Sequence, residues 1–239
     1  MKKLIRLIAL ICVLAFASGL FVSCTERVTI NDALKSTSNL QSLDCDLYWK
    51  VKITSGTQKE DASIQEKILI KDNEILVTSN KYGSSIKATT YSDGEFVYQK
   101  NGEKIGIEDY NSKNVSLDNN IKGLLTTYPK QFFELARVDN INGKLKLSVS
   151  LESVPFRAVL ATFLTGVEKE LGFEPGEGIT VEYRDTSIEI LVVEGYVSQV
   201  NVKFTAEKKS EDITEEARVS VSLNVNNPGS DVSIIKPFQ

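Results

Sequence analysis

The chain has 239 residues, 41% hydrophobic, 25% charged and 8% aromatic, with a formal net charge of −4. That is enough chain for a sizeable core and too apolar for wholesale disorder. It contains no histidine, which excludes Ser-His-Asp and Cys-His catalysis and His-ligated zinc.

Residues 1–23 read as a secretory signal. Lys2, Lys3 and Arg6 make a basic start, Leu4 to Val22 is almost wholly apolar, and Ser23 precedes Cys24. The stretch Phe21-Val22-Ser23-Cys24 resembles a bacterial lipobox, which implies lipidation of Cys24 and cleavage before it. That family prefers leucine where Phe21 stands. The alternatives are an uncleaved anchor, since about 20 apolar residues can span a bilayer, or ordinary cleavage near Ala17. All three place the rest of the chain outside the cytoplasm, at or near a membrane. Three of the 28 basic residues and none of the 32 acidic ones lie in this segment, so its removal leaves a net charge of −7. Such a balance argues against a nucleic-acid partner. The sequence also shows no basic cluster suited to docking on anionic lipid. Cys12 leaves with the signal and Cys24 carries the lipid, so Cys45 remains alone without a disulfide partner. Between Leu43 and Leu47 on an apolar strand face, it reads as a core residue.

Residues 24–30 read as a tether, and residues 31–239 as one domain. Asn31 to Asn39 is a helix. Leu43 to Ile53 alternates strictly, apolar at odd positions, which predicts a long strand with one dry face. Strands follow at Ile64–Ile70, Ile75–Asn80, Ser85–Tyr91, Glu95–Lys100 and Glu103–Ile107. Lys71–Glu74 is a turn between the first two, and Asp93-Gly94 and Asn101-Gly102 supply the positive φ that hairpin turns need. The spacing turns helical at Asn119–Thr127 and Pro129–Val138, and Lys144–Leu151 alternates again. Ser153 caps a long helix ending at Gly172, with Phe156, Val159, Leu160, Phe163, Leu164, Val167 and Leu171 in one stripe. Extended runs at Ile179–Arg184, Thr186–Val193, Tyr196–Thr205, Glu216–Asn224 and Val232–Ile235 complete the chain. Glu207 to Asp212 reads as a solvated loop.

This order, with the strand Leu43–Ile53, the stretch Tyr91–Tyr98 and the ending Asn226-Asn227-Pro228-Gly229 before Val232, Ile234 and Pro237, resembles the lipoprotein-carrier fold. That group comprises LolA/LolB-like proteins and LprG-like relatives. The resemblance implies an α+β fold: a strongly curved antiparallel half-barrel sheet of about 10–12 strands, with helices over its concave face. It implies a non-catalytic, membrane-anchored lipoprotein holding a lipid or other hydrophobic ligand between sheet and helices. The expected lining is Leu47, Trp49, Val51 and Ile53, with Phe96, Tyr98, Phe156, Leu160 and Phe163. Each of these also serves as ordinary core in any alternating strand or amphipathic helix. The competing reading is an envelope-sensing or protein-interaction scaffold on the same fold.

No cofactor or metal is expected. Gly172 to Gly178 lacks the Lys-Ser/Thr of a phosphate loop. Asp72-Asn73-Glu74 lacks the ligand spacing of a calcium loop and reads as a turn. Carboxylates are plentiful, but nothing in the sequence positions a catalytic pair.

Overall fold

The computed structural model describes residues 29–81, 87–99, 103–113, 119–125, 128–211 and 213–237. The expected signal, Cys24, and parts of the predicted elements around residues 85, 100 and 126 lie outside them. Helix α1 spans residues 29–38. It is followed by strands β1 (Ser42–Ser55), β2 (Gln58–Lys71), β3 (Glu74–Lys81), β4 (Lys87–Ser92), β5 (Phe96–Gln99) and β6 (Lys104–Gly106). Helices α2 (Ile107–Lys113), α3 (Asn119–Leu124) and α4 (Lys130–Leu135) come next. Then follow β7 (Arg137–Ile141), β8 (Lys144–Val149), α5 (Ser153–Val159), α6 (Ala161–Leu171), β9 (Thr180–Val193), β10 (Tyr196–Lys209) and β11 (Thr214–Asn226).

The eleven strands among the described residues form one antiparallel sheet in the order β6-β5-β4-β3-β2-β1-β11-β10-β9-β8-β7. It is two meanders, β1–β6 and β7–β11, joined where β1 pairs with β11. Among the described residues the sheet stays open, with β6 and β7 at its edges. The architecture is the curved sheet with helices that the sequence implies.

Register explains why the odd residues of β1 are apolar. Cys45 stands opposite Ile68 and Val225, Leu47 opposite Leu223, Trp49 opposite Ile64 and Val221, and Val51 opposite Val219. The row continues through Val200, Val202 and Phe204 of β10 to Ile188 and Ile190 of β9, then Leu147 and Val149 of β8. These side chains make one dry inner face, and most are buried beneath α1, α5 and α6. Thr37 pins α1 to this wall: its hydroxyl donates to the Ala33 carbonyl (2.7 Å) and accepts from the Val197 N–H (2.9 Å).

Several local expectations are corrected. The long helix from Ser153 to Gly172 is two helices, broken at Leu160 (φ −110°, ψ 27°). Ser153 is not the N-cap, which falls at Glu152; its hydroxyl instead accepts the Tyr183 N–H at 2.9 Å, tying α5 to β9. Ile179–Arg184 and Thr186–Val193 are one strand, with a register shift where Asp185 takes φ 53°. Thr186 is thereby buried, its hydroxyl shared with Leu151 N–H and C=O. Residues after Ala136 leave the helix and become the edge strand β7, while Ile107, expected to end a strand, opens the helix Ile107–Lys113. The expected strand Val232–Ile235 is irregular chain. It crosses the outer side of the sheet, where Asp231 meets Lys71 (3.0 Å) and Lys236 meets Glu74 (3.6 Å). Glu207 to Lys209 belong to β10 rather than to a loop.

Candidate functional site

The stripe from α5 and α6 packs tightly. Phe156, Leu160 and Phe163 are fully buried, as is Leu47 beneath them. Phe156 meets Tyr183 and Phe204 at centroid distances of 5.5 and 5.4 Å. Phe163 stacks on Trp49 at 5.6 Å. Val51 and Ile53, half-buried, extend the same wall beyond the ring contact. The structure therefore brings seven of the nine expected lining residues together on the inner side, Leu47, Phe156, Leu160 and Phe163 fully buried and Trp49, Val51 and Ile53 half-buried and packed against the core.

Phe96 and Tyr98 are not with them. Tyr98 pairs with Tyr91, and Ser92 pairs with Val97. Ser92 lies opposite Ile75, which continues the inner row through Ile70 and Leu43, so Val97 faces inward and Phe96 and Tyr98 face outward. There Lys104 Nζ sits 3.5 Å from the Phe96 ring centroid, and the Tyr98 hydroxyl donates to Asp93 at 3.0 Å. Asp93 shapes this hairpin by accepting the N–H groups of Glu95 and Phe96. Partial burial opposes its ionisation, but those backbone donors outweigh it and hold the carboxyl below its ordinary range.

The unfilled space lies elsewhere along the inner face. A cavity of about 480 Å³ opens between the β1–β5 end of the sheet and helices α1–α3. Leu43, Ile70, Ile75 and Val97 form its sheet wall, with Ile107, Ile121 and Leu125 opposite. Ser38, Asp72, Asn73, Asn111 and Lys122 bring polar groups to it. The cause is helix length. Helices α2 and α3 have seven and six residues, about 9–11 Å of helix each, too little to cover five strands. Helix α3 is held close to α6 through Gly123, where a Cβ would come within 2.6 Å of the Phe163 nitrogen.

One acid interrupts the inner wall next to the packed region. Glu66 stands opposite Leu47 and Ser79. It accepts from the Ser79 hydroxyl at 2.8 Å and from the Trp49 indole. Burial raises its pKa above the usual carboxylate range, the negative charge of Glu170 adds to this, and the two hydrogen bonds only partly offset it. Cys45 is fully buried, and desolvation, with Asp44 adding, pushes its thiol up to about 12. A thiol so held is no nucleophile at neutral pH. Under α5, Glu168 is buried and bound by Arg157 (3.0 Å) and by the Tyr183 hydroxyl. Among the described residues, no group of three or more Cys, Asp and Glu is placed to hold a metal ion. No helix among them is long and apolar enough to cross a membrane.

No protein-family model matches the chain, and no curated protein matches it. Among solved structures it is similar to LprF from Mycobacterium bovis, at 12% identity over 90% of this chain and 98% of that one, with a TM-score of 0.39. A LolA superfamily protein from Nitrosomonas europaea matches at 8% identity over 86% and 94%, with a TM-score of 0.32. A structure of lipid–protein interactions in lipovitellin matches at 8% identity over 83% of this chain and 27% of that one, with a TM-score of 0.34. The first two belong to the half-barrel group that the sequence resembles. At these scores they say nothing of a ligand, and the fold rests on the strand order itself.

Proposed function

We propose that the chain is an extracytoplasmic lipoprotein that binds one hydrophobic or amphipathic molecule, such as a single-chain lipid, in the cavity between β1–β5 and α1–α3. The observation that carries this is the cavity of about 480 Å³ with apolar walls and polar groups from turns and helices. Its size falls in the range of about 300–1,000 Å³ typical of ligand pockets. The apolar walls suit an acyl chain, and the polar groups suit a headgroup. Leu47, Phe156, Leu160 and Phe163 act as the packed backing of this wall and do not move to admit the ligand. The protein binds and presents, and does not catalyse. Lipidation at Cys24 attaches it to the membrane, with more than one acyl chain needed for stable anchoring.

The test is native mass spectrometry of residues 24–239 extracted under gentle conditions. A hydrophobic adduct is expected, and Ile75→Trp, which fills the cavity from the sheet side, removes it while the unfolding transition is retained. A wild-type chain free of adduct, or an Ile75→Trp chain that keeps it, overturns the proposal. Cys24→Ala tests the anchor separately: the precursor stays uncut or the protein is released, whereas unchanged processing and attachment refute lipidation.

A further inference from the structure

The outer face of the sheet is polar, as an alternating strand requires, but its composition is not uniform. One cross-strand row reads Asn80, Gln65, Tyr48, Ser222, Asn201 from β3 to β10. The next reads Ser63, Lys50, Ser220, Lys203. Tyr48 is 41% exposed, a large ring standing in the open at the middle of a rigid sheet. The Gln65 amide donates to its hydroxyl at 3.2 Å and holds the ring in place. The small side chains of Ser63, Ser220 and Ser222 leave a hollow of about 390 Å³ around it.

That hollow runs on, through Lys50 and Ser220, into a second of about 270 Å³ lined by Lys50, Lys52, Lys203 and Arg218. Lys50 and Lys203 flank Ser220 on either side, about 10 Å apart at the spacing of neighbouring strands. Neither has an acidic partner within ion-pair distance among the described residues. Lys52 reaches only the exposed Asp61 at 3.6 Å, and Arg218 is held by Glu216 at 2.8 Å. Asp185 also lines this hollow, and accepts from Thr205. Four cations thus gather on one face of a chain whose net charge is −4. They come from β1, β10 and β11, so no run of basic residues marks them in the sequence.

We propose that this outer trough binds an anionic saccharide: a sugar ring lies on Tyr48, and its phosphate or carboxylate group sits between Lys50 and Lys203. The C–H face of a sugar ring matches an exposed aromatic face. Serine hydroxyls and the Gln65 and Asn80 amides both donate and accept, as neighbouring sugar hydroxyls do. The cations are complementary to the acid group, and a recess concentrates their field. A flat lipid surface would not reach the floor of such a recess, and apart from Tyr48 the trough shows no exposed large apolar side chain that would insert into a bilayer. This surface lies on the side of the sheet opposite the cavity and is independent of it.

The test is calorimetric titration of the full chain with tetragalacturonate, with maltotetraose and tripolyphosphate as its neutral and sugar-free counterparts. Tetragalacturonate is expected to bind at least tenfold tighter than either, and to weaken as salt is raised. Tyr48→Ala, and separately Lys50→Ala with Lys203→Ala, each weaken it at least tenfold, and Ile75→Trp leaves it unchanged. Ser220→Glu, which places an acid between the two lysines, abolishes it and serves if Tyr48→Ala does not fold. No binding of tetragalacturonate at millimolar concentration overturns the proposal, as does binding that survives the folded variants. Equal binding of tripolyphosphate reduces the trough to a plain anion patch. Vesicles of phosphatidylglycerol that bind through the same residues, uncontested by tetragalacturonate, make it a membrane surface instead.

Discussion

Gly123 is the position where a single methyl group should be felt most. In α3 it lies against α6, and a Cβ there would meet the nitrogen, Cα and Cβ of Phe163 at 2.6, 2.8 and 2.8 Å. Two of these are backbone atoms, and Phe163 is itself fully buried and stacked on Trp49. No rotamer change relieves the clash, so α3 must move outward as a body. Against backbone atoms that cannot swing aside, the cost lies in the upper part of the overpacking range, about 2–3 kcal/mol. The better helix propensity of alanine returns about 1 kcal/mol at most. We expect Gly123→Ala to lose about 1–2 kcal/mol, read as a lower urea midpoint, or as a fall in Tm of roughly 2–8 °C for a chain of this size. Because Ile121, Lys122 and Leu125 move with α3, retention of the adduct should fall beyond what the stability loss explains. A Gly123→Ala chain as stable as wild type would refute the close α3–α6 packing, and with it the account of how the cavity is roofed.

Glu168→Ala should destabilise by about 2–3 kcal/mol in urea unfolding, since it strands the Tyr183 hydroxyl and the Arg157 guanidinium that it binds; Arg157 is partly exposed, so water recovers some of the loss. A loss no larger than that of Tyr183→Phe would show that the Arg157 contact contributes nothing. Glu66 has its pKa raised above 4.5 by burial, so the folded state holds its proton more tightly than the unfolded chain. Stability from this group is therefore present at pH below 4.5 and lost as pH rises through the raised value. Glu66→Gln should then stabilise at pH 7 and give no gain at pH 4, and a gain equal at both pH values would contradict the assignment. With Cys12 and Cys24 replaced by serine, Cys45 should react with a thiol reagent at pH 8 only as fast as the protein unfolds; rapid labelling of the native state would show that it is neither buried nor held protonated.

Much of the wall was legible in the chain. Strict alternation from Leu43 to Ile53 needs no partner to declare a strand with a dry face, and Asp93-Gly94 needs only local backbone geometry to declare a turn. The helical stripe from Phe156 to Leu171 is likewise a local pattern. Period two says that Phe96 and Tyr98 share a face, but not which face. That was decided when Tyr91 paired with Tyr98 and left Val97 pointing inward. The apolar stripe runs unchanged through the break at Leu160 and so does not mark it, and the seven residues of α2 are too few to show a period. The cavity is a remainder, set by how far short helices reach over a wide sheet, and no residue type announces a remainder. The basic trough unites Lys50 and Lys52 with Lys203 and Arg218, which only the pairing of β1 with β11 and β11 with β10 makes neighbours. Local physics wrote the strands and turns into the sequence; long-range pairing chose the faces and left the spaces.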